Sequence, residues 1–338
     1  MINSTLNKIL DGVNLSIEES ADTADFIMNG KVNNSQIAAL LTGLKIKGET
    51  PEEIAGFAMA MRNNGIKIEK SDHDTIDVCG TGGDNSGSCN ISTAVSFVVA
   101  GAGVKVAKHG NRSITSKSGS SDVLNELGVT IDLTPEKAEQ ALKEIGITFL
   151  FAPIYHPAMK YVAPVRLELK FKTIFNVLGP LTNPANTWRQ MIGTYNYDIA
   201  DKMSQAAKLL GMKNVTFVCT NDQYDEITLT HSSRLINLKD SEVTTQEIDA
   251  SAFGYEKIDL NDIAGSTPQN NSKLILDLFS NPKRNAHFEV VAANAAVAIN
   301  TSGKYATLEE SQKAAEDSII SGKALNKLNE LIEFGKRA

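Results

Sequence analysis

Thr75-Ile76-Asp77-Val78-Cys79-Gly80-Thr81-Gly82-Gly83-Asp84 and, further on, Val104-Lys105-Val106-Ala107-Lys108-His109-Gly110-Asn111-Arg112 decide how this chain is read. Each stretch is a short apolar run ending in a polar loop with glycine, and helix-like patterns follow at 91–100 and 122–127. Strand, glycine loop and helix together make an anion site. Glycine admits positive φ and lets backbone N–H groups approach an anion closely. The helix behind it directs its free N–H groups and positive dipole end at the same spot. Two such cradles in succession suit a ligand carrying two separate phosphate groups. The first loop is neither a GxGxxG fingerprint nor a P-loop, since no Gly-Lys-Ser/Thr follows it.

Outward from these loops the pattern alternates strand and helix. Strand-like runs are expected at 75–79, 104–107, 147–151, 191–195, 215–219, 227–230 and 235–238, and helices at 91–100, 122–127, from Thr134, and at 268–279, 287–299 and 308–336. That rhythm implies an α/β fold with a mostly parallel central sheet. The first 65 or so residues read as helices only. Ser16 to Glu19 forms a capping box, Ser35 is placed to cap a second helix, and Thr50-Pro51-Glu52-Glu53 opens a third. Residues 157–178 return to helix and interrupt the α/β rhythm, which suggests that they cross back onto the N-terminal helices and leave a cleft. The expected division is a small helical domain, 1–68 with 157–184, and a larger α/β domain, 69–156 with 185–338.

Bulk properties narrow the function classes. The chain has 338 residues, 42% of them apolar and 22% charged, with a formal net charge of −7. An acidic surface repels a phosphate backbone, which disfavours a dedicated nucleic-acid binder. Cys79, Cys89 and Cys219 form neither a CxxC pair nor a disulfide framework. The start lacks a signal-peptide pattern, and the longest nearly apolar stretch, 94–104, is too short to span a bilayer. A cytoplasmic protein without a membrane partner is expected.

Candidate chemistry gathers around the two loops. Ser88, Asn90, Ser92 and Thr93 add polar groups at the first helix start, although a tight turn with ordinary capping would use the same residues. The second loop, 108–120, carries Lys108, His109, Arg112 and Lys117 among Asn111, Ser116, Ser120 and other hydroxyls, with glycines at 110 and 119. Asp225-Glu226, read as opening a strand, supplies hard oxygens suited to Mg²⁺ beside phosphates, or is an ordinary surface pair. Arg166 offers a guanidinium that matches a planar carboxylate, or a packed stem with a solvated head. His156 opens the same helical stretch.

These residues resemble the anthranilate phosphoribosyltransferase family. The resemblance rests on GTGGD at 80–84, NIST at 90–93, KHGNRSITSKSGSSDVLNELG at 108–128, HPAMKYVAPVR at 156–166, FNVLGPLTNP at 175–184 and DE at 225–226. It implies transfer of phosphoribosyl from phosphoribosyl pyrophosphate to the anthranilate amine, Mg²⁺ as cofactor, and a homodimer formed through the helices. By motif, Gly80, Gly83, Asp84, Ser88, Asn90, Ile91, Ser92, Thr93, Lys108, His109, Gly110, Asn111, Arg112, Ser116 and Ser120 would hold the donor. Gly80, Asn111, His156 and Arg166 would contact anthranilate. Ser92, Asp225 and Glu226 would sit at Mg²⁺, with Lys108, Asp225 and Glu226 serving catalysis. The chain departs from the family pattern at Gln223-Tyr224, where Gly-Leu is usual, and at Lys170, where Gly is usual. It departs again at Ser266 and Ser272, near the usual double glycine and Asn-Ala. A pyrimidine nucleoside phosphorylase would need one phosphate cradle and a base pocket. A nucleic-acid-binding relative would need a basic groove. KHGNR and LGPLTNP argue against the first, and net charge with the retained acidic pair against the second.

Overall fold

The computed structural model describes residues 2–69, 74–83, 89–112 and 118–338. Four helices, Ile2–Leu10, Ile17–Met28, Asn34–Lys47 and Pro51–Asn63, open the chain. Their ends are fixed locally. Ser16 and Glu19 satisfy one another's backbone N–H groups, and so do Thr50 and Glu53. Asn33, rather than Ser35, caps the third helix, with its side chain accepting from the Gln36 N–H at 3.0 Å. Ile27, Leu40, Leu41, Leu44, Ile54 and Phe57 fill the bundle. Glu53 lies inside it fully buried, ion-paired with Lys47 at 2.9 Å and accepting from the Leu15 N–H. Such a charge is tolerable in the interior only because its oxygens are partnered.

Seven strands form one sheet: β1 Ile76–Gly80, β2 Val106–Gly110, β3 Ile147–Phe151, β4 Arg189–Gly193, β5 Asn214–Thr220, β6 Ser233–Lys239 and β7 Glu242–Ile248. Their order is β3-β2-β1-β4-β5-β6-β7. The first five are parallel, and β6 and β7 join antiparallel. Alternating side chains serve two cores. Met191 and Val218 face the helices Ile91–Gly101 and Ala286–Ser302, while Ile192 and Phe217 face Tyr197–Leu209 and the bundle. The chain builds β1 to β3 in one direction, then returns to lay β4 on the other side of β1. That reversal makes the C-terminal ends of β1 and β4 a topological switch point, where ligands of open parallel sheets bind.

Several expectations are corrected. Residues 157–178 are not one helix but a 3-10 turn Pro157–Tyr161 and two helices, Ala163–Leu169 and Phe175–Leu178. Pro157 and Pro164 lack the N–H that a continuous helix needs. Lys170 ends the middle piece at φ 53°, the left-handed conformation that explains a usual glycine there. The segment does return to the bundle, with Phe175 edge-on to Phe57 at 5.9 Å. Residues 227–230 alternate apolar and polar like a strand but form none, and Asp225-Glu226 lie in the loop between β5 and β6. The polar β7 replaces that strand, joined to β6 through Asp240 and Ser241 at φ 49° and 69°, as a two-residue hairpin turn requires. The expected helix at 308–336 divides into Leu308–Ile320 and Lys323–Arg337 around Gly322 at φ 77°.

Candidate active site

Register aligns the ends of β1 and β4, Gly80 opposite Gly193, and beyond them the first glycine loop begins. Thr81 N–H donates to the Gly193 carbonyl at 2.9 Å, and Gly82 and Gly83 take φ of 63° and 74°. The acidic loop lies across this notch. Gly82 N–H donates to Asp225 Oδ2 at 2.9 Å, and Ser92 N–H, in the first turn of the helix Ile91–Gly101, donates to Glu226 Oε1 at 3.3 Å. Both carboxylates therefore rest on backbone donors of the first cradle, 143 and 134 residues away in sequence. An added Cβ at Gly80 would lie 2.6 Å from Asp225 Oδ2, so glycine is required there for the loop to approach.

The two cradles are joined by side chains. Asn90 precedes the first helix at φ 59° and makes no cap; its amide instead accepts from Ser118 Oγ at 2.9 Å and Asn271 Nδ2 at 2.7 Å and donates to the Ser118 carbonyl at 3.1 Å. Lys108, on β2, is buried beneath the first loop, with Nζ donating to the Val78 carbonyl at 2.7 Å and lying 3.5 Å from Ser92 Oγ. Burial pulls its ammonium below the ordinary lysine range while Asp77 pulls it back up. Gly110 is hemmed in by Ser120 and the Phe149 ring, leaving no room for a side chain. Asn111 and Arg112 are exposed, and Arg112 lies over the Phe151 ring at 5.9 Å. The Thr93 hydroxyl is buried without a hydrogen-bond partner among the described residues. Asp84, Ser88 and Ser116 lie outside the described residues.

Behind the second cradle, His109 and His156 pack with ring centroids 5.2 Å apart and ring planes tilted by 59°. His109 Nδ1 is 3.2 Å from the Gly179 carbonyl, and both Nε2 atoms are buried without a hydrogen-bond partner among the described residues. Burial lowers His109 to about 3, with His156 adding to the effect, and His156 itself to about 4. Both rings are neutral at pH 7. Arg166 is half-buried over the Phe175 ring at 5.8 Å, and burial lowers its pKa.

Two groups escaped the sequence reading. Asp77 is wholly buried and accepts from the His109 N–H, Asn183 Nδ2 and Gln190 Nε2, tying β1 to β2, β4 and the segment after Gly179. Its signal was available, since a carboxylate inside an apolar strand demands partners. Burial is the largest influence on it and raises its pKa. Lys172 bridges from the returning segment, donating to the Gly83 carbonyl at 2.7 Å while lying 3.4 Å over the Tyr195 ring. Nothing local in the sequence marks that pairing.

A helical bundle beside a mostly parallel sheet, with two glycine loops and a carboxylate pair at the switch point, is the architecture of a glycosyl transferase. Residues 3–65 match the helical bundle domain of the glycosyl transferase family, and residues 72–325 match its a/b domain. The anthranilate phosphoribosyltransferase of Desulforamulus reducens is 42% identical over 99% of this chain and 97% of its own. The crystal structure of anthranilate phosphoribosyltransferase from Thermus thermophilus superposes with a TM-score of 0.92 at 34% identity, covering 98% of this chain and 99% of that one. The Saccharomyces cerevisiae enzyme, solved in complex with PRPP and Mg, gives 0.90 at 26% identity over 100% and 98%. The chain belongs to the anthranilate phosphoribosyltransferase family.

Proposed function

We propose that this chain transfers the phosphoribosyl group of phosphoribosyl pyrophosphate to the anthranilate amine, releasing pyrophosphate. The observation that carries the reading is the meeting of both glycine cradles and the Asp225-Glu226 loop at one switch point, tied by the Gly82 N–H to Asp225 bond. The first glycine loop at Gly80 and Gly82 and the helix start at Ser92, with Asn90, Lys108, His109, Gly110, Asn111, Arg112 and Ser120 around them, form the donor site. Lys108, buried beside Ser92, faces the charge that develops on the departing pyrophosphate. The nucleophile, an aromatic amine, is neutral at pH 7 and keeps its lone pair, so no strong protein base is needed. Catalysis rests on alignment, which supplies roughly 7–11 kcal/mol when both reactants are held in line.

The donor set fits Mg²⁺. Asp225 and Glu226 bring hard oxygens to within reach of the cradle, and Ser92 adds a hydroxyl. No cluster of three His, Cys, Asp or Glu occurs among the described residues. Two carboxylates suffice for an ion that keeps waters and takes its remaining ligands from phosphate oxygens. Bound there, it would neutralise charge on the leaving pyrophosphate.

Anthranilate lies on the side of the returning segment, with Arg166 gripping its carboxylate and Gly80, Asn111 and His156 around the ring. A cation over Phe175 with no carboxylate partner among the described residues suits that clamp. Under the division we propose, 1–68 with 157–184 and 69–156 with 185–338, the two substrates would lie on opposite sides of one cleft. Exposed Leu10, Ile46 and Met59 on the bundle support a homodimer formed through these helices. No helix of the described residues is long and apolar enough to cross a membrane, which fits the cytoplasmic location we propose. The test is loss of anthranilate fluorescence with donor and Mg²⁺, each omitted in turn. Turnover of anthranilate without the donor, or none with every component present, would refute the assignment.

A further inference from the structure

The acidic pair belongs to a loop with no strand or helix of its own to hold it, yet its neighbours in sequence are gripped from both sides. On one side, Thr220 at the end of β5 donates its hydroxyl to the Glu226 carbonyl at 2.6 Å and shares a second short bond with Ser233 Oγ. On the other, Asn294 on the helix Ala286–Ser302 accepts from the Ile227 N–H at 3.0 Å and donates to the Ile227 carbonyl at 2.8 Å. It also donates to the Val290 carbonyl of its own helix at 2.8 Å. Thr220 is 0% exposed, Asn294 2% and Ile227 1%. In that dry setting each bond lost strands a polar group.

We infer that Thr220 and Asn294 are positioning residues for the Asp225-Glu226 pair. Both side chains act through backbone groups, Thr220 on the Glu226 carbonyl and Asn294 on the Ile227 N–H and carbonyl. Asn294 does for Ile227 what a neighbouring strand would do for a strand residue, bonding both its N–H and its carbonyl, although residues 227–230 form no strand. Thr220 holds the carbonyl and Asn294 the N–H of the peptide that joins Glu226 to Ile227, and Asn294 also holds the Ile227 carbonyl of the next peptide, so together they fix the backbone directly after the acidic pair. The backbone is thus fixed where the carboxylates must project toward the Gly82 and Ser92 N–H groups. Partners that orient metal ligands change metal affinity about 10–100-fold when removed. The inference rests on the proposed function, in which the pair holds a divalent cation beside the donor.

The test is calorimetry of phosphoribosyl pyrophosphate binding to the full chain, with Mn²⁺ and again with EDTA, reading the gain in affinity that the metal confers. Thr220→Val, nearly isosteric, and Asn294→Asp, which turns a donor into a second acceptor against the Ile227 carbonyl, are each expected to lose about ten-fold of that gain. Their metal-free affinity should stay within about two-fold of the parent. Thr301→Val is the control. Thr301 lies on the same helix as Asn294, and the change removes its buried 2.7 Å bond to Thr216 of β5, which should leave the gain intact whatever the melting temperature. A gain unchanged in a folded Thr220→Val, or lost equally in Thr301→Val, overturns the inference. Thr220→Val decides alone should Asn294→Asp not fold. Absence of any gain in the parent chain would instead defeat the metal assignment itself, and the double variant Asp225→Ala/Glu226→Ala fixes that baseline.

Discussion

Gly193→Ala tests the geometry at the switch point most directly. Gly193 ends β4, and its φ is not in the positive range, so alanine strains nothing in the backbone. The obstacle is space. An added Cβ would lie 1.7 Å from the Asp225 carbonyl oxygen, whereas real Cβ atoms stay at least 3.0 Å away, so the acidic loop must retreat by 3.0 − 1.7 = 1.3 Å. Backbone gives way here, not the tip of a flexible side chain. A displacement of about 1 Å in a reacting constellation costs on the order of 10²-fold in rate, while overpacking of this kind costs about 1–3 kcal/mol of stability. We expect kcat/KM for the donor to fall about 10²-fold, the Mg²⁺ concentration for half activity to rise, and the KM for anthranilate to hold. Steady-state kinetics across a Mg²⁺ series, with thermal melts confirming a folded protein, provide the assay. A variant with parental kcat/KM and parental Mg²⁺ dependence would refute the placement of Asp225 between β1 and β4.

Other perturbations separate the parts of the site. Arg166→Ala should raise the KM for anthranilate with little change in donor affinity by calorimetry; an unchanged anthranilate KM rules out the clamp. Asp225→Ala with Glu226→Ala should make donor binding insensitive to EDTA, and a persisting EDTA effect would place the metal elsewhere. Stability should fall with acid, because His109 and His156 titrate at about 3 and 4 in the folded chain, and near 6.5 unfolded. As pH drops below 6.5 the unfolded chain binds protons that the buried rings refuse, so stability is complete above 6.5 and declines toward pH 4. The decline is about 1.4 kcal/mol per pH unit per ring, or about 2 kcal/mol each between pH 6.5 and 5. Denaturant unfolding at pH 7.5 and 5 should show a smaller difference in His109→Gln/His156→Gln; an equal difference would contradict the neutral buried pair.

Local signals were legible because local chemistry sets them. Ser16, Thr50 and Pro51 marked helix starts, the apolar runs before Gly80 and Lys108 marked strands, and Gly82 and Gly83 marked a loop needing positive φ. The fold class followed from their alternation. The same logic misread 227–230, since alternating Ile227, Thr228, Leu229 and Thr230 satisfy a strand pattern whether a strand or the Asn294 amide takes up their backbone. It also joined 157–178 into one helix and passed over the polar edge strand β7, which buries too little apolar surface to announce itself.

What the sequence alone determined is the inventory: two glycine cradles, a carboxylate pair, an arginine and a histidine on a returning segment, each with its intrinsic chemistry. Only the tertiary structure decided their company. The reversal of strand order between β1 and β4 opened the notch, and the absence of side chains at Gly80 and Gly193 let a loop more than 130 residues away enter it. Distances along a chain carry no information about such a meeting, because it is fixed by sheet register and close packing rather than by any residue's own preference.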